Sequence, residues 1–278
     1  MTPNMIKLVN GLTTRVLDTR GDKPTLVLIH GLANSIEIWG RVLPRLTDRF
    51  RVVAFDLPGF GQADRPVAAY DAPFFVEQLK ALLDTLEIAR AHLVGSSLGA
   101  SVIVRFSAAN LKRIDRAVLT APGGFGRATH PLMRLPALPV VGDWLGRPTP
   151  VNNQLALRLA IHDRRNVTPE LVEQTNRYAR APGSDLSFVR TLQTGVGLLG
   201  VRERDSFERL ARKFDRPALV VWGRQDRVFP SPQSERAAAL LPLSERILID
   251  ECGHYPQWEQ PDVFATVVDH FLIQGSQT

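Results

Sequence analysis

Gly95-Ser96-Ser97-Leu98-Gly99 is the stretch that decides the fold of this chain. It follows the mostly apolar run 91–94 and precedes the small and apolar run 100–109, so a buried strand, a sharp turn and a helix are predicted. A serine at such a turn projects its hydroxyl from the strand end, while the flanking glycines permit close backbone approach. Because a helix N-terminus favours a developing negative charge, the pattern predicts that Ser97 is a nucleophile.

Composition restricts the class of protein. The chain has 278 residues, of which 44% are hydrophobic and 22% are charged, as in an ordinary globular protein. Its apolar runs fall well short of the roughly 18 residues of a membrane span, and residues 1–23 lack a signal-peptide block. The single cysteine, Cys252, excludes an intrachain disulfide. We therefore expect a cytoplasmic protein without stable membrane insertion.

The charge pattern gives no sign of a macromolecular partner. The formal net charge is +6, but the arginines are scattered and are not interleaved with aromatic residues. This pattern is typical of a solvated surface, so nucleic-acid binding is not expected. The histidines lack ligand-spaced partners, so we expect no metal, and no cofactor is indicated. The oligomeric state is left open.

Strand patterns alternate with helix patterns along most of the chain, which is typical of a mostly parallel sheet with helices on both faces. After a hairpin within 5–17, strands are predicted at 25–29, 51–55, 91–94, 117–121, 218–222 and 246–249, and a helix at 35–46. Segment 122–214 breaks the alternation with helical patterns and no strong strand signal. We predict a core of residues 1–121 and 215–278, with a helical cap over 122–214.

A serine nucleophile needs a base to take its proton and an acid to orient that base. Loops at the carboxyl ends of parallel strands converge, and two later strand ends supply Asp226 and His254. We therefore predict a triad in which Ser97 is the nucleophile, His254 the base and Asp226 the orienting acid. His30 ends an earlier strand beside a glycine, and we expect it to brace the neighbouring loop.

Acyl transfer also needs donors for the oxyanion. The backbone N–H groups of Leu98 and Leu32 are the predicted pair, with Ala33 as the second choice in the same loop. Candidate substrate contacts come from that loop, from the apolar start of segment 122–214 and from the residue after His254. They are Ala33, Leu132, Met133, Trp144 and Tyr255. Each of the apolar residues in segment 122–214 could equally serve only to pack that segment on the core.

These motifs together resemble the α/β-hydrolase fold family. The matching segments are 28–32, 56–61, 95–99, 222–226 and 252–254. The resemblance implies an eight-stranded, mostly parallel sheet with helices on both faces and a helical cap insertion. It also implies Ser97, Asp226 and His254 as the triad. The family includes esterases, lipases, carbon–carbon bond hydrolases and non-catalytic receptors, so it does not decide the reaction.

A carboxylic ester hydrolase for small to medium apolar acyl groups is the leading expectation, acting on a small-molecule ester through an acyl-enzyme. A carbon–carbon bond hydrolase of ring-cleavage products is the alternative, because 121–126 and 253–259 resemble that group. That group's glycine-rich oxyanion loop and its Asn before the nucleophile are replaced here by 30–35 and Ser96. The alternative would need a cation for a substrate carboxylate. The candidates for this cation are Arg164, Arg165, Arg177 and Arg190. A non-catalytic ligand-binding protein is a third class, against which an intact triad argues.

Overall fold

Eight strands form one sheet in the computed structural model, which describes residues 2–134, 142 and 147–273. In chain order, the strands are β1 (Asn4–Lys7), β2 (Thr13–Asp18), β3 (Thr25–Ile29), β4 (Arg51–Phe55), β5 (Ala91–Ser96), β6 (Ile114–Thr120), β7 (Val196–Gly197), β8 (Gly200–Val201), β9 (Ala218–Gly223) and β10 (Ser244–Ile249). The sheet order is β1-β2-β4-β3-β5-β6-β9-β10, and β7 and β8 pair separately with each other. The pairs β1–β2 and β2–β4 are antiparallel, whereas β3, β4, β5, β6, β9 and β10 run parallel. The prediction of an eight-stranded, mostly parallel sheet is therefore confirmed.

Helices cover both faces of the sheet. They are α1 (Leu43–Leu46), α2 (Ala72–Thr85), α3 (Leu98–Asn110), α4 (Pro131–Arg134), α5 (Pro150–Ala160), α6 (Pro169–Ala179), α7 (Ser184–Gly195), α8 (Arg204–Ala211), α9 (Gln233–Leu240), α10 (Pro256–Glu259) and α11 (Pro261–Ile273). Short 3₁₀ helices span Ile36–Trp39, Leu111–Arg113 and Arg164–Asn166. The apolar sides of α2, α3, α8 and α9 form one hydrophobic core with the sheet. The 3₁₀ helix Ile36–Trp39 and α11 form the core on the other face. Because the central strands are buried on both faces, they read as continuous apolar runs in the sequence.

One predicted helix is broken in the structure. The pattern at 35–46 predicts a single helix, but the chain forms the 3₁₀ helix Ile36–Trp39 and then the separate helix α1. Gly40 ends the first of these, and Pro44 lies at the start of the second, where its missing N–H is tolerated. The apolar spacing is compatible with either arrangement, so it concealed the break.

The helices α4 to α8, the 3₁₀ helix Arg164–Asn166 and the β7–β8 hairpin lie between β6 and β9 among the described residues. The sequence shows no strong strand signal in this segment, so the hairpin was not expected. Its strands have two residues each, and strands this short cannot produce an alternating pattern. Trp144 lies outside the described residues, and so does the side chain of Leu132. The division into a core and a cap at residues 122 and 214 stays a prediction. Within the described ranges, no helix is both long enough and apolar enough to cross a membrane.

A buried carboxylate fixes the loops that lead to the sheet edge. Asp56 is fully buried and accepts hydrogen bonds from Arg15 Nε and from the backbone N–H groups of Ile36 and Gln62, each at 2.8 Å. Gly61 lies against it with φ 53°, and a Cβ there would collide with the Asp56 carboxylate. Asp56 therefore joins β2, the 3₁₀ segment after β3 and the loop after β4.

We predict that Asp56→Asn lowers the free energy of unfolding by about 3 kcal/mol, because it deprives the buried Arg15 guanidinium of one of its two charged partners, the fully buried one. Urea denaturation followed by tryptophan fluorescence measures the change. Glu173→Gln is the control, since it removes an exposed ion pair with Arg177 on α6 and is expected to change stability little. Equal losses in the two variants would contradict this role for Asp56.

Candidate active site

The turn between β5 and α3 holds Ser97 in a strained conformation. Ser97 has φ 53° and ψ −110°, a region that residues with side chains rarely occupy, and its N–H donates to Thr120 O at 2.8 Å. A Cβ at Gly99 would collide with the carbonyl oxygen of Ile29, so only glycine lets α3 start this close to β3. Such strain costs on the order of 1–3 kcal/mol and concentrates at functional sites.

Asp226 and His254 meet at the edge where β9 and β10 end. His254 Nδ1 lies 2.7 Å from Asp226 Oδ2, and both side chains are buried. The other oxygen, Asp226 Oδ1, accepts the backbone N–H groups of Val228 at 2.8 Å and Phe229 at 3.0 Å. Because a carboxylate only accepts, Nδ1 of the imidazole carries the hydrogen. Nε2 is therefore the nitrogen left free to take a proton.

Ser97 and His254 line one cavity of about 870 Å³. The structure thus brings together the three residues predicted as a triad, with Asp226 behind His254. No hydrogen bond joins the described side chains of Ser97 and His254. In structures without substrate, a hydrogen bond between a nucleophile and its base is often long and tightens only when substrate is bound. The catalytic roles of the three residues stay predictions. Within residues 2–134 and 147–273, no cluster of His, Cys, Asp or Glu is suited to a metal ion.

The loop after β3 passes directly over Ser97. A Cβ placed on Gly31 would lie 3.2 Å from Ser97 Cβ, and Leu32, Ala33 and Leu98 line the cavity beside it. The backbone N–H groups of Leu32, Ala33 and Leu98 form no hydrogen bond with any described residue. Leu98 is the first residue of α3, where the N–H has no partner within the helix. These unengaged donors belong to residues that line the cavity beside Ser97. Their role as an oxyanion pair stays a prediction.

His30 fixes that loop from behind. Its Nε2 accepts the Leu57 N–H at 2.9 Å, so the hydrogen resides on Nδ1, which donates to Gly31 O at 2.8 Å. The side chain is fully buried, and burial lowers the pKa of His30. A neutral imidazole with both nitrogens engaged makes the bracing contacts expected from the sequence.

The remaining predicted contacts divide into those that reach the cavity and those that do not. Ala33, Met133 and Tyr255 line it, and Tyr255 Oη accepts a hydrogen bond from Asn34 Nδ2 at 3.1 Å. Burial raises the pKa of Tyr255 to about 12, so the phenol stays neutral.

The arginines suggested as carboxylate ligands are exposed and do not line the cavity; they are Arg164, Arg165, Arg177 and Arg190. That expectation is wrong because a position in segment 122–214 does not reveal which side chains face the cavity. The arginines that line it are Arg65, Arg105, Arg147 and Arg202.

The His254 loop is hydrogen-bonded to the last residue of α5 and to the segment that follows this helix. His254 N–H donates to Ala160 O at 2.6 Å. The buried Glu259 carboxylate accepts the N–H groups of Gly253 at 2.9 Å and His162 at 2.7 Å. Burial raises the pKa of Glu259, and these backbone donors oppose the rise. Glu259 lies within the motif 253–259, but its role in holding the His254 loop was not predicted, because its partners Gly253 and His162 are brought to it only by the fold.

A second contact fastens α6 to the segment after the β3 loop. Tyr178 Oη donates to Glu37 Oε1 at 2.8 Å, and Arg15 donates to Glu37 Oε2 at 2.7 Å. Close by, Gln174 Nε2 donates to Ser35 Oγ at 3.2 Å. Partial burial acts to raise the pKa of Glu37, but hydrogen bonds from Arg15, Ser35 and Tyr178 outweigh it and lower the pKa to about 2.

The chain belongs to the alpha/beta hydrolase fold family, whose model matches residues 24–261. A 2-hydroxy-6-oxononadienedioate/2-hydroxy-6-oxononatrienedioate hydrolase from Paraburkholderia phymatum is 31% identical over 265 residues, covering 92% of this chain and 90% of that protein. A meta-cleavage product hydrolase from Pseudomonas fluorescens superimposes with a TM-score of 0.83 at 28% identity, covering 98% of both chains. An enol-lactonase from Burkholderia xenovorans reaches the same TM-score at 20% identity, covering 97% of this chain and all of that one, which shows the fold alone.

These similarities confirm the predicted family and fold, and they support a hydrolase enzyme. They do not confirm hydrolysis of carboxylic esters, which was the leading expectation. The carbon–carbon bond hydrolases to which the chain is similar correspond instead to the alternative.

The contact between Glu37 and Tyr178 predicts a defined pH dependence of stability. Glu37→Gln is expected to lower the free energy of unfolding by about 1 kcal/mol at pH 7, a value reduced for partial exposure of the side chain. As the pH falls from 4.5 towards 2, the unfolded chain takes up the proton before the folded one, so this stabilisation is lost.

Urea denaturation of both proteins between pH 7 and pH 2.5 measures the difference, which should shrink below pH 4.5. Glu170→Gln, on the exposed side of α6, is the control and should show no comparable pH-dependent difference. A Glu37→Gln difference that is constant from pH 7 to pH 2.5 would contradict the lowered pKa of Glu37.

Proposed function

We propose that the protein is a serine-dependent hydrolase that cleaves the carbon–carbon bond beside a ketone in a carboxylate-bearing ring-cleavage product. The observation that carries the proposal is that Ser97 and His254, the latter held by Asp226, face one cavity of about 870 Å³. The choice of bond is supported by the similarity to a hydrolase of 2-hydroxy-6-oxononadienedioate, which extends over 92% of the chain. This substrate class replaces simple esters as the first choice.

The proposed reaction uses the three side chains in a fixed order. In a 2-hydroxy-6-oxo-2,4-dienoate, moving the 2-hydroxyl proton to C5 gives the 2,6-dioxo form. Ser97 Oγ then adds to the C6 ketone as His254 Nε2 takes its proton, and the N–H groups of Leu32 and Leu98 stabilise the oxyanion.

The C5–C6 bond breaks next, and its electron pair moves through the C3–C4 alkene onto the 2-oxo group. His254 returns the proton to the dienolate, which leaves as a 2-hydroxy-2,4-dienoate. Water, deprotonated by His254, attacks the acyl group on Ser97 and releases a carboxylic acid. Asp226 holds His254 in the tautomer that leaves Nε2 free throughout.

Ester hydrolysis is the second candidate, and the residue before the nucleophile favours it. Ser96 is fully buried and accepts a hydrogen bond from Gln257 Nε2 at 3.1 Å, so its side chain does not line the cavity. Ester cleavage needs no ketonisation of the substrate, and therefore needs no polar group from position 96.

The test compares turnover of 2-hydroxy-6-oxonona-2,4-dienedioate with turnover of p-nitrophenyl butyrate. We expect the wild-type protein to convert the dienedioate to succinate and 2-hydroxypenta-2,4-dienoate. Loss of the absorbance of the dienedioate substrate monitors the reaction. Ser97→Ala should lower kcat by a factor of about 10³ or more, because it removes the nucleophile. The matched control is Ser107→Ala, since Ser107 is buried on the same helix but bonds only to Val104 O.

Rapid turnover of p-nitrophenyl butyrate without turnover of the dienedioate would reject carbon–carbon cleavage in favour of ester hydrolysis. Turnover of either substrate that survives Ser97→Ala would reject the serine mechanism itself.

A further inference from the structure

One face of α3 forms a continuous strip of the cavity wall. Leu98, Ser101, Val102 and Arg105 all line the cavity, and their spacing of three and four residues places them on one side of the helix. Arg105 follows Leu98 by seven residues, or about 10 Å along the helix axis. Helical side chains generally lean towards the helix N-terminus, which for α3 is the end that follows Ser97.

The Arg105 guanidinium is largely buried but poorly satisfied. Its side chain is 19% exposed and lies over the Phe207 ring, 4.7 Å from the ring centroid. It forms no hydrogen bond with any described residue, although a guanidinium has five N–H donors. Burial lowers the pKa of Arg105. A desolvated cation with open donors at the wall of a cavity is a favourable site for an anion.

Two other arginines of the cavity wall have different surroundings. Arg65 is engaged by Ser184 Oγ at 2.9 Å and by the carbonyl oxygens of Ala63 and Gly61. Arg202 is exposed, and its Nε donates to Val196 O at 3.0 Å. Arg65 is thus committed to the protein, whereas Arg105 is both buried and available.

Glu203 is the counter-ion of Arg105, and the pairing is loose. Glu203 Oε2 lies 3.9 Å from the Arg105 guanidinium, beyond hydrogen-bonding distance, and its side chain is 67% exposed. Glu203 has φ 51° and directly precedes α8. A solvated carboxylate in this position can leave the guanidinium at small cost, because exposed ion pairs contribute little.

We propose that Arg105 binds the carboxylate of a keto acid whose carbonyl lies at Ser97, and that Glu203 is the counter-ion displaced on binding. The inference rests on the proposed function for the ketone, and it assigns the anion subsite to the core helix α3. In such an acid, five carbon–carbon bonds separate the carboxylate carbon from the ketone carbon, a span of about 6 Å. This span is shorter than the distance of about 10 Å along α3 between Leu98 and Arg105, and the long arginine side chain can cover the difference if it leans towards the helix N-terminus.

The test measures binding without turnover, in the Ser97→Ala background. Isothermal titration calorimetry gives the Kd of 6-oxoheptanoate, which carries the ketone and the carboxylate, and of its neutral methyl ester. The selectivity is the ratio of the ester Kd to the acid Kd. Arg105→Met should reduce this selectivity about tenfold or more, Arg105→Lys should restore part of it, and Glu203→Gln should increase it.

Arg177→Gln is the matched control, because it removes the same charge from an exposed site away from the cavity. Thermal melting of each variant verifies folding, and the Arg105→Lys variant keeps the test decisive if Arg105→Met fails to fold. Equal loss of selectivity in Arg177→Gln and Arg105→Met would overturn the proposal, as would a selectivity unchanged by Arg105→Met. Failure of 6-oxoheptanoate to bind would also overturn it.

The result is separable from that of the proposed reaction. Selectivity that depends on Arg105 in a protein that does not cleave the dienedioate would retain the anion subsite and reject the carbon–carbon reaction. Cleavage of the dienedioate with selectivity independent of Arg105 would retain the reaction and reject the subsite.

Discussion

The close approach of α3 to the end of β3 is the constraint on which the rest of the site depends. Gly99 meets the carbonyl oxygen of Ile29, so the helix can begin directly behind Ser97. At the same turn, Ser97 has φ 53° and lines the cavity. The β3 loop lies against the serine, and Leu32 and Leu98 line the same cavity. One backbone contact therefore brings together the predicted nucleophile and the loop that carries a predicted oxyanion donor.

His254, the predicted base, is positioned by a separate set of contacts that link the sheet edge to the helices above it. Asp226 orients its side chain, and its backbone N–H donates to Ala160 at the end of α5. Glu259 joins Gly253 to the same segment, while Glu37 joins α6 to the core. The helices between β6 and β9 thus help to hold His254 as well as cover the cavity.

The sequence was sufficient for those parts of the site that depend on local signals. Strand ends, glycine turns and the order Ser97, Asp226, His254 are readable along the chain, because parallel strands must deliver their carboxyl ends to one edge. Arg105 was missed although it shares a helix face with Leu98. Its significance arises only where α8 brings Phe207 and Glu203 against it. Conversely, Arg177 is a candidate from the sequence because it is a cation of segment 122–214, but it lies on the exposed face of α6. Helical periodicity identifies a face without identifying what that face contacts.

The central claim is that Ser97 becomes covalently acylated during cleavage of a carbon–carbon bond. Mass spectrometry of protein quenched during turnover of 2-hydroxy-6-oxonona-2,4-dienedioate tests it most directly. We predict a protein species heavier by one succinyl group, with the modification mapped to the peptide that contains Ser97. Turnover with the succinyl group on another residue, or with no acylated protein at any quench time, would contradict the account.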